Sequence, residues 1–446
     1  MDDILITDAL IVTCDENHSI IENGVMAVNK GKITALERSN TSAAKKLTAK
    51  KIISADGNIV MPGLINMHCH AADSLFRGLV ENLPLEEWLA RVWIAEKAIL
   101  TPETTYLGSV LGLAENLLGG STTVMDMFWY PDETVKAAKD LGMRISTGGI
   151  FFDLPGIGGR SHENYVSEAH RFYEKHTTDS SVIPAILPHG SYTVSPQNLI
   201  EAKTIADEYG MLFCTHAAET QAEQKDIKTR YDNSVIRHLE KCKLLGETSI
   251  LAHCVHLDEA EISLLAQSKT NVVLNPMSNL KLGSGIAPVK EMHRAGINLT
   301  LGTDGAISGN DLDMWLAMRL TCGLAKGLNM EADALTAKQV LHMATISGAK
   351  ALGKLDALGS LEIGKNADFI LIDIKNSHSI PLFDPITHLV FGAGRSDVTD
   401  VFVSGKQVVE SKKVSGLDLE KIYAEVCQLA PSIKASLEQE RTFDGK

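Results

Sequence analysis

Met61-Pro-Gly-Leu-Ile-Asn-Met-His-Cys-His70 is the stretch of this chain that decides the fold and locates its chemistry. An apolar strand runs through it and ends on two histidines that stand one residue apart. Alternate side chains of a strand share a face, so the imidazoles of His68 and His70 can reach one metal ion. The stretch predicts a metal site at the end of a buried strand.

The same pattern, a short apolar run that ends in a ligand-type residue, recurs further along the chain. It is found in Met211-Leu-Phe-Cys-Thr-His216, Ile250-Leu-Ala-His253 and Ile297-Asn-Leu-Thr-Leu-Gly-Thr-Asp304. Any one of these histidines could be an ordinary hydrogen-bonded core residue. The His-x-His pair together with three further residues at matching strand ends is much harder to produce by chance, which points to a metal-dependent hydrolase.

Strand-like and helix-like runs alternate from Pro62 to about Gly353. For example, Ser121-Thr-Thr-Val-Met-Asp126 is followed by a helical run from Asp132 to Leu141. Repeated strand and helix units predict parallel strands, and eight units would close a (β/α)8 barrel of the TIM type. We expect the eight strands to end near His70, Asp126, Asp153, His189, His216, His253, Asn275 and Asp304.

Both ends of the chain have a different pattern, with short strands and turn signals in place of the alternation. The fold class we expect is therefore α/β, a distorted barrel over residues 62–357 with a flanking β-sandwich domain. Residues 1–61 would form the first part of that domain. Residues 358–446 would form its second part and a terminal helix from Asp418 to about Glu438.

Composition limits the partners of this protein. The 446 residues carry a formal net charge of −14, which argues against a nucleic-acid or anionic-membrane partner, because phosphate binding needs clustered Lys and Arg. A small-molecule substrate is favoured. The seven cysteines show no Cys-x-x-Cys spacing, the start lacks the features of a signal peptide, and no apolar run is long enough to cross a bilayer. We expect a cytoplasmic enzyme, and its size leaves a homo-oligomer open.

The active site of a parallel barrel lies at the carboxyl ends of its strands. The ligand candidates occupy strand ends one, five, six and eight, so they should converge on one mouth. Three imidazoles and one carboxylate suit one divalent ion, zinc or a similar ion such as iron, and leave a position open for water.

Glu219 lies three residues after His216, just past the fifth strand. A carboxylate there can shuttle a proton from the attacking water to a ring nitrogen and to a leaving group. Its ordinary alternative is an acidic residue in the first turn of a helix. Asp304 could be a ligand, a proton acceptor or both, and His253 could bind the metal or only orient the water. The sequence does not separate these roles.

Several motifs resemble those of the amidohydrolase superfamily, in its mononuclear deaminase and chlorohydrolase branch. They are Pro62-Gly-Leu-Ile-Asn-Met-His-Cys-His70, His216-x-x-Glu219, Ala252-His-Cys-Val-His256, Asn275-Pro-Met-Ser-Asn-Leu-Lys-Leu-Gly283 and Gly302-Thr-Asp-Gly305. Within that branch, Leu75-Phe-Arg-Gly-Leu79 and Leu83-Pro-Leu-Glu-Glu-Trp-Leu89 are most similar to the 5-methylthioadenosine/S-adenosylhomocysteine deaminases.

The resemblance implies a role for each residue of the centre. Glu219 would move protons and His253 would polarise the hydrolytic water. The metal would be carried by His68, His70, His216 and Asp304. The dinuclear relatives bridge their metals with a lysine at the fourth strand end, and Leu187-Pro-His-Gly-Ser-Tyr192 has none, so one metal is expected.

The resemblance also implies substrate contacts. Trp88 would lie beside the ribose and Glu96 would hold its hydroxyls, with a core Trp and a solvated helix-face Glu as the alternatives. His189 would meet the purine ring. Arg160 matches one of two arginines that hold the carboxylate of S-adenosylhomocysteine, but Gly149 stands at the other position, so affinity for the homocysteine tail is in doubt.

These observations predict a hydrolytic deaminase of adenosine-type nucleosides: 5-methylthioadenosine, S-adenosylhomocysteine, adenosine or 5'-deoxyadenosine. The alternative is an aminohydrolase or chlorohydrolase of another amino-heterocycle, such as guanine, 8-oxoguanine, a pterin or an s-triazine. Retention of Glu219 favours loss of ammonia over loss of chloride. A catalytically dead scaffold would be expected to lose ligands, and none is missing. The His-x-Glu with Pro-Cys-x-x-Cys signature of nucleic-acid deaminases is absent.

Overall fold

The computed structural model describes residues 1–153 and 156–438. Its strands fall into two separate sheets, one at the centre of the chain and one built from its two ends. In chain order the strands are β1 (Asp2–Val12), β2 (Ile20–Asn29), β3 (Lys32–Arg38), β4 (Ala49–Ser54), β5 (Ile59–Pro62), β6 (Leu64–His70), β7 (Ser121–Asp126), β8 (Arg144–Phe151), β9 (Val182–Pro188), β10 (Leu212–Ala217), β11 (Ser249–His253), β12 (Asn271–Leu274), β13 (Leu299–Leu301), β14 (Asp304–Gly305), β15 (Phe369–Ile372), β16 (Val398–Val403), β17 (Lys406–Glu410) and β18 (Lys413–Val414).

The central sheet runs from β6 to β14 with every neighbouring pair parallel. β13 pairs with β12, whereas β14, which begins after two intervening residues, pairs with β6. The N–H of Gly302 donates to the carbonyl of Leu274 (3.0 Å) and the N–H of Thr303 donates to that of His68 (3.1 Å). The segment from β13 to β14 therefore acts as the eighth strand and closes the barrel, which confirms the predicted fold.

Gly302 is the residue that lets this closing segment approach β6. A Cβ atom at this position would lie 2.5 Å from Oδ1 of Asn275 and 2.8 Å from Cβ of His68, closer than side-chain atoms can pack. Glycine is therefore required where the ring closes.

The strand ends agree with the sequence prediction to within two residues. β6, β7 and β11 end at the predicted residues. β8, β9, β10 and β12 end one or two residues away, at Phe151, Pro188, Ala217 and Leu274. The agreement follows from burial, because β7 and β10 are buried at every position and their apolar runs stop where the strand reaches the mouth.

The second sheet contains strands from both ends of the chain, as predicted for the flanking domain. β5 pairs antiparallel with β15, and β1 pairs with β2, β4 and β5. Phe369 and Phe402 stack at the centre of its apolar core, with ring centroids 4.3 Å apart. The domain limits at residues 61 and 358 stay predictions, and residues 439–446 of the last segment lie outside the described residues.

Helices cover the barrel. They are α1 (Leu85–Ile99), α2 (Pro102–Leu118), α3 (Pro131–Leu141), α4 (His162–His176), α5 (Pro196–Tyr209), α6 (Gln221–Tyr231), α7 (Val235–Lys241), α8 (Glu259–Ser268), α9 (Pro276–Lys281), α10 (Val289–Arg294), α11 (Ala306–Gly309), α12 (Met314–Asn329), α13 (Ala337–Met343), α14 (Ile346–Ala351), α15 (Pro385–Phe391) and α16 (Leu419–Glu438). The predicted terminal helix is α16, which packs against α1 and α2. Among the described residues, we find no helix that is both long and apolar enough to span a membrane.

Candidate active site

Four side chains from three parts of the barrel meet at its mouth. Nε2 of His216 lies 3.1 Å from Nε2 of His68 and 3.3 Å from Nε2 of His70. Oδ1 of Asp304 lies 3.3 Å from Nε2 of His68 and 3.1 Å from Nε2 of His70. Ligands at about 2.0–2.1 Å from a tetrahedral ion are separated by roughly 3.4 Å, so these spacings fit one bound ion.

The hydrogen bonds of Nδ1 in His70 and His216 determine which ring nitrogen carries the proton. Nδ1 of His70 donates to the carbonyl of Met127 (2.6 Å), and Nδ1 of His216 donates to the carbonyl of His189 (2.5 Å). Each Nε2 is then a bare lone pair that points inward. Two such lone pairs at 3.3 Å have no proton to share and repel each other. A cation bound by both is the group that fits between them.

Asp304 is held from both sides. Its Oδ2 accepts hydrogen bonds from Oγ of Ser278 (2.6 Å) and Oγ of Ser308 (2.8 Å), which leaves Oδ1 for the histidines. The side chain is therefore an oriented carboxylate, the form that binds metal.

His253 stands slightly apart from this cluster. Its Nδ1 donates to Oδ1 of Asn279 (2.8 Å), and its Nε2 lies 3.7 Å from Oε2 of Glu219. A donor atom of His253 lies within 4.8 Å of donor atoms of His68, His216 and Asp304. The contacts of 3.1–3.3 Å, however, belong to the set that contains His70.

Glu219 is buried beside the cluster, at the end of β10. Its backbone N–H donates to Oε2 of Glu223 (2.7 Å), and its Oε1 accepts from Oγ of Ser284 (3.3 Å). Thr220 caps α6 immediately afterwards, so the chain turns away and leaves the carboxyl group at the mouth. Burial raises the pKa of Glu219.

A cavity opens over the cluster, with about 670 Å³ of empty space that includes the part open to solvent. Its polar floor contains His70, Glu219, His253 and Asp304. Its walls are mostly aromatic and aliphatic, and include Leu85, Trp88, Trp93, Trp129, Ile150 and Phe152. Among the described residues, no Lys or Arg lines it.

The predicted substrate contacts Trp88, Glu96 and His189 line this cavity, as does Glu219. Glu96 is buried and its Oε2 accepts a hydrogen bond from Nε1 of Trp129 (3.0 Å). Burial raises the pKa of Glu96 to about 7. Burial also lowers the pKa of His189 to about 3, so that its ring is neutral, and Nδ1 of this ring lies 3.0 Å from Oγ1 of Thr193.

Comparison with known proteins shows the family to which this chain belongs. The Amidohydrolase family model matches residues 59–408, which include the entire barrel and the residues of this candidate site. This chain belongs to the amidohydrolase family.

Individual amidohydrolases align with this chain over almost its full length. A 5-methylthioadenosine/S-adenosylhomocysteine deaminase of Syntrophobacter fumaroxidans is 36% identical over 97% of this chain and 98% of its own. A 5'-deoxyadenosine deaminase of Methanosarcina acetivorans is 39% identical over 98% and 99%. The crystal structure of a Xanthomonas campestris adenosine deaminase with bound zinc superposes with a TM-score of 0.94, at 34% identity, and covers 97% of this chain and 99% of that one.

Arg160 is a predicted substrate contact that does not line the cavity. Its Nη1 lies 3.4 Å from Oε2 of Glu168, and its guanidinium stacks over the ring of Tyr130, 4.6 Å from the centroid. A Cβ atom at Gly149 would lie 2.8 Å from Cβ of Ala169 in α4, so position 149 faces the helical layer. That Arg160 contacts substrate, with Gly149 at the position of its partner, stays a prediction.

The structure also brings residues into the cavity that the sequence analysis did not select, among them Asp73, Trp93, Trp129 and Tyr192. Asp73 follows His70 by three residues, and this proximity to the His-x-His motif is the signal that could have found it. Burial and the neighbouring Glu96 raise the pKa of Asp73 well above its usual range.

Proposed function

We propose that this amidohydrolase is a hydrolytic deaminase that replaces the amino group of adenosine-type nucleosides with oxygen and releases ammonia. The observation that carries the proposal is the close cluster at the floor of the cavity, with Glu219 beside it; the cluster consists of His68, His70, His216 and Asp304. Relatives named as deaminases of 5-methylthioadenosine, S-adenosylhomocysteine and 5'-deoxyadenosine support the substrate class.

The metal proposed for the site is one divalent ion, zinc or a similar ion such as iron. Nitrogen ligands with one carboxylate suit either metal, and the related adenosine deaminase structure contains zinc. The proposed ligands are His68, His70, His216 and Asp304. When bound, such an ion lowers the pKa of a water molecule and so supplies a nucleophile at neutral pH.

The residues of the chain provide the proton transfers. Glu219 accepts a proton from the attacking water and delivers it to the ring nitrogen next to the amine-bearing carbon, N1 of an adenine. His253 lies 3.7 Å from Glu219 and orients a water molecule that contacts both side chains. The water oxygen bonds to C6. Glu219 then moves the remaining hydroxyl proton to the amino nitrogen, and the C6–N bond breaks as the C6 carbonyl forms, which releases ammonia and an inosine analogue.

The walls of the cavity indicate which nucleosides fit. Glu96 would accept hydrogen bonds from ribose hydroxyls, Trp88 would pack on the sugar, and His189 would contact the purine. Because no cationic side chain among the described residues lines the cavity, a carboxylate-bearing 5' substituent finds no ion pair there. We therefore favour 5-methylthioadenosine, 5'-deoxyadenosine and adenosine over S-adenosylhomocysteine.

Ammonia release from a panel of substrates tests the proposal. The zinc-loaded protein is supplied with the four nucleosides, and with guanine and an aminotriazine as controls, while the adenine-to-hypoxanthine absorbance change is followed. We expect turnover of the nucleosides alone. Activity on a free heterocycle and none on any nucleoside would contradict the proposed substrate class and leave the metal chemistry in place.

From the composition, we propose that the protein acts on a small-molecule substrate and binds neither nucleic acid nor membrane. A cytoplasmic location and a homo-oligomer likewise stay predictions.

A further inference from the structure

The segment 275–285, which follows β12, contacts both of the side chains that the proposed mechanism assigns to the attacking water. Oδ1 of Asn279 accepts a hydrogen bond from Nδ1 of His253 (2.8 Å). Oγ of Ser284 donates to Oε1 of Glu219 (3.3 Å). Both Asn279 and Ser284 are buried, and neither lines the cavity. Any effect of these two residues on the reaction therefore passes through the side chains that they contact.

The backbone around Ser284 directs its hydroxyl group at the mouth of the barrel. Ser284 stands between two glycines with left-handed backbone, Gly283 (φ 69°) and Gly285 (φ 124°). Its N–H donates to the carbonyl of Asn279 (2.9 Å), and its own carbonyl accepts from Nε2 of His256 (2.8 Å). The backbone of Ser284 is thus held on both sides without help from its side chain, which leaves the hydroxyl free to serve Glu219.

The hydrogen bond from Ser284 selects the oxygen of Glu219 that meets the water. Oε1 is bound to the hydroxyl group, and Oε2 is the oxygen that lies 3.7 Å from Nε2 of His253. The terminal torsion of a glutamate is soft, so the carboxyl group rotates easily unless a hydrogen bond holds it. Ser284 therefore keeps Oε2 on the side of His253.

Asn279 determines which nitrogen of His253 carries the proton. An amide oxygen only accepts hydrogen bonds, so Nδ1 carries the proton and Nε2 has a lone pair. The opposite tautomer would set two lone pairs against each other at 2.8 Å. Nδ2 of Asn275, which could donate to Nδ1 in that tautomer, is more distant at 3.5 Å. Nε2 of His253 is therefore an acceptor.

We propose that Ser284 and Asn279 are positioning residues, which make Oε2 of Glu219 and Nε2 of His253 a pair of acceptors for the two O–H groups of the attacking water. The inference rests on the proposed function, because it presupposes a hydrolytic reaction. Two acceptors that face each other need one donor each, and a water molecule has two. A water molecule held by both O–H groups keeps a fixed orientation, which attack on a ring carbon requires.

Double-mutant cycles test the inference, with zinc-loaded protein and 5-methylthioadenosine. Ser284→Ala should lower kcat about 10-fold, change KM by less than about twofold and retain the bound metal. In the Glu219→Gln background the same change should have no further effect on kcat, because the residue through which Ser284 acts no longer carries a proton. Asn279→Ala should show the same pattern, with a loss in the wild type and none in the His253→Gln background.

Two further variants control for folding. Ser284→Thr retains the hydroxyl group, so its kcat should be close to that of the wild type. Ser249→Ala is the matched control, since Ser249 is a buried serine whose Oγ donates to the carbonyl of Leu244 (2.6 Å). Ser249 begins β11, at the opposite end of this strand from His253, and the kcat of its variant should equal that of the wild type.

Equal fold-losses from Ser284→Ala in the wild type and in Glu219→Gln would overturn the inference and show that Ser284 acts independently of Glu219. The same result for Asn279→Ala in the wild type and in His253→Gln would overturn it for Asn279. Loss of metal from either single variant would overturn it in favour of structural support for the metal centre. A wild type that releases no ammonia from any of the nucleosides would instead contradict the proposed function.

Discussion

Glu219 and His253 face each other across 3.7 Å, too far for a hydrogen bond and close enough for one water molecule to contact both. Glu219 stands at the end of β10 and His253 at the end of β11, so the barrel itself sets this distance. We therefore expect two classes of residue at the site, those that bind the metal and those that contact the attacking water. Substitutions in the two classes should affect metal content and turnover differently.

Glu219→Gln should retain bound metal near the wild-type level and lose about 10²–10⁴-fold in kcat, because the amide keeps the shape and cannot carry a proton. Metal analysis and steady-state kinetics measure the two effects. Glu240→Gln, an exposed substitution on α7, is the matched control and should behave as the wild type. Full activity in Glu219→Gln would refute the proton-shuttle role.

His253→Gln should reduce turnover and keep one metal per chain, whereas His70→Gln should lose the metal. The reason is distance: Nε2 of His70 lies 3.1 Å from Oδ1 of Asp304, whereas His253 belongs only to the looser group within 4.8 Å. Metal content after dialysis separates the two variants. If His253→Gln loses its metal and His70→Gln keeps it, the assignment of the fourth ligand is wrong.

Ser278→Ala and Ser308→Ala should each weaken metal affinity about 10–100-fold, since each removes a hydrogen bond that orients Asp304. Competition with a chelator measures the affinity. Ser263→Ala, an exposed change on α8, should leave it unaltered. If neither Ser278→Ala nor Ser308→Ala changes the metal affinity, these serines do not orient Asp304 for metal binding.

Arg160→Ala should alter the ratio of kcat/KM between 5-methylthioadenosine and S-adenosylhomocysteine by less than about twofold. Arg160 lies beside Glu168 and Tyr130 and does not line the cavity. A charge-assisted contact to a carboxylate is worth about 1.5–3 kcal/mol, so its loss would lower the S-adenosylhomocysteine value by roughly 10-fold or more. A selective loss of that size would show that Arg160 contacts the carboxylate of S-adenosylhomocysteine.

Glu223→Gln should stabilise the protein at pH 8 and have little effect at pH 5. Burial raises the pKa of Glu223 to about 7, above the usual value of 4.5. The folded state then binds more protons than the unfolded state, so stability is lost as the pH rises from about 4.5 to 7. The neutral amide avoids this loss, by up to about 3 kcal/mol. Thermal unfolding at both pH values measures it, and an equal change at both would contradict the raised pKa.

The sequence predicted the barrel and the clustered histidines because both follow from periodicity. A buried parallel strand is a continuous apolar run, and its end is visible where His70, His216 or His253 interrupts it. Parallel strands then bring these ends together whatever the loops do. The same reasoning located Glu219, which follows its strand by a few residues.

Side-chain direction in loops and helices was not predictable in this way. Arg160 turns toward Glu168 because of the local path of its loop, and Gly149 faces α4 because its strand register sets its side. The sequence analysis did not select Asp73, whose side chain lines the cavity. Such contacts are set by tertiary structure, which a local pattern does not contain.

The most direct test of the central claim is a titration of metal-free protein with zinc, in which ammonia release from 5-methylthioadenosine is measured at each metal content. The account predicts no turnover without metal, a rise in proportion to zinc, and a plateau at one ion per chain with the inosine analogue as product. Protein that carries one zinc per chain and releases no ammonia from any adenosine-type nucleoside would contradict it.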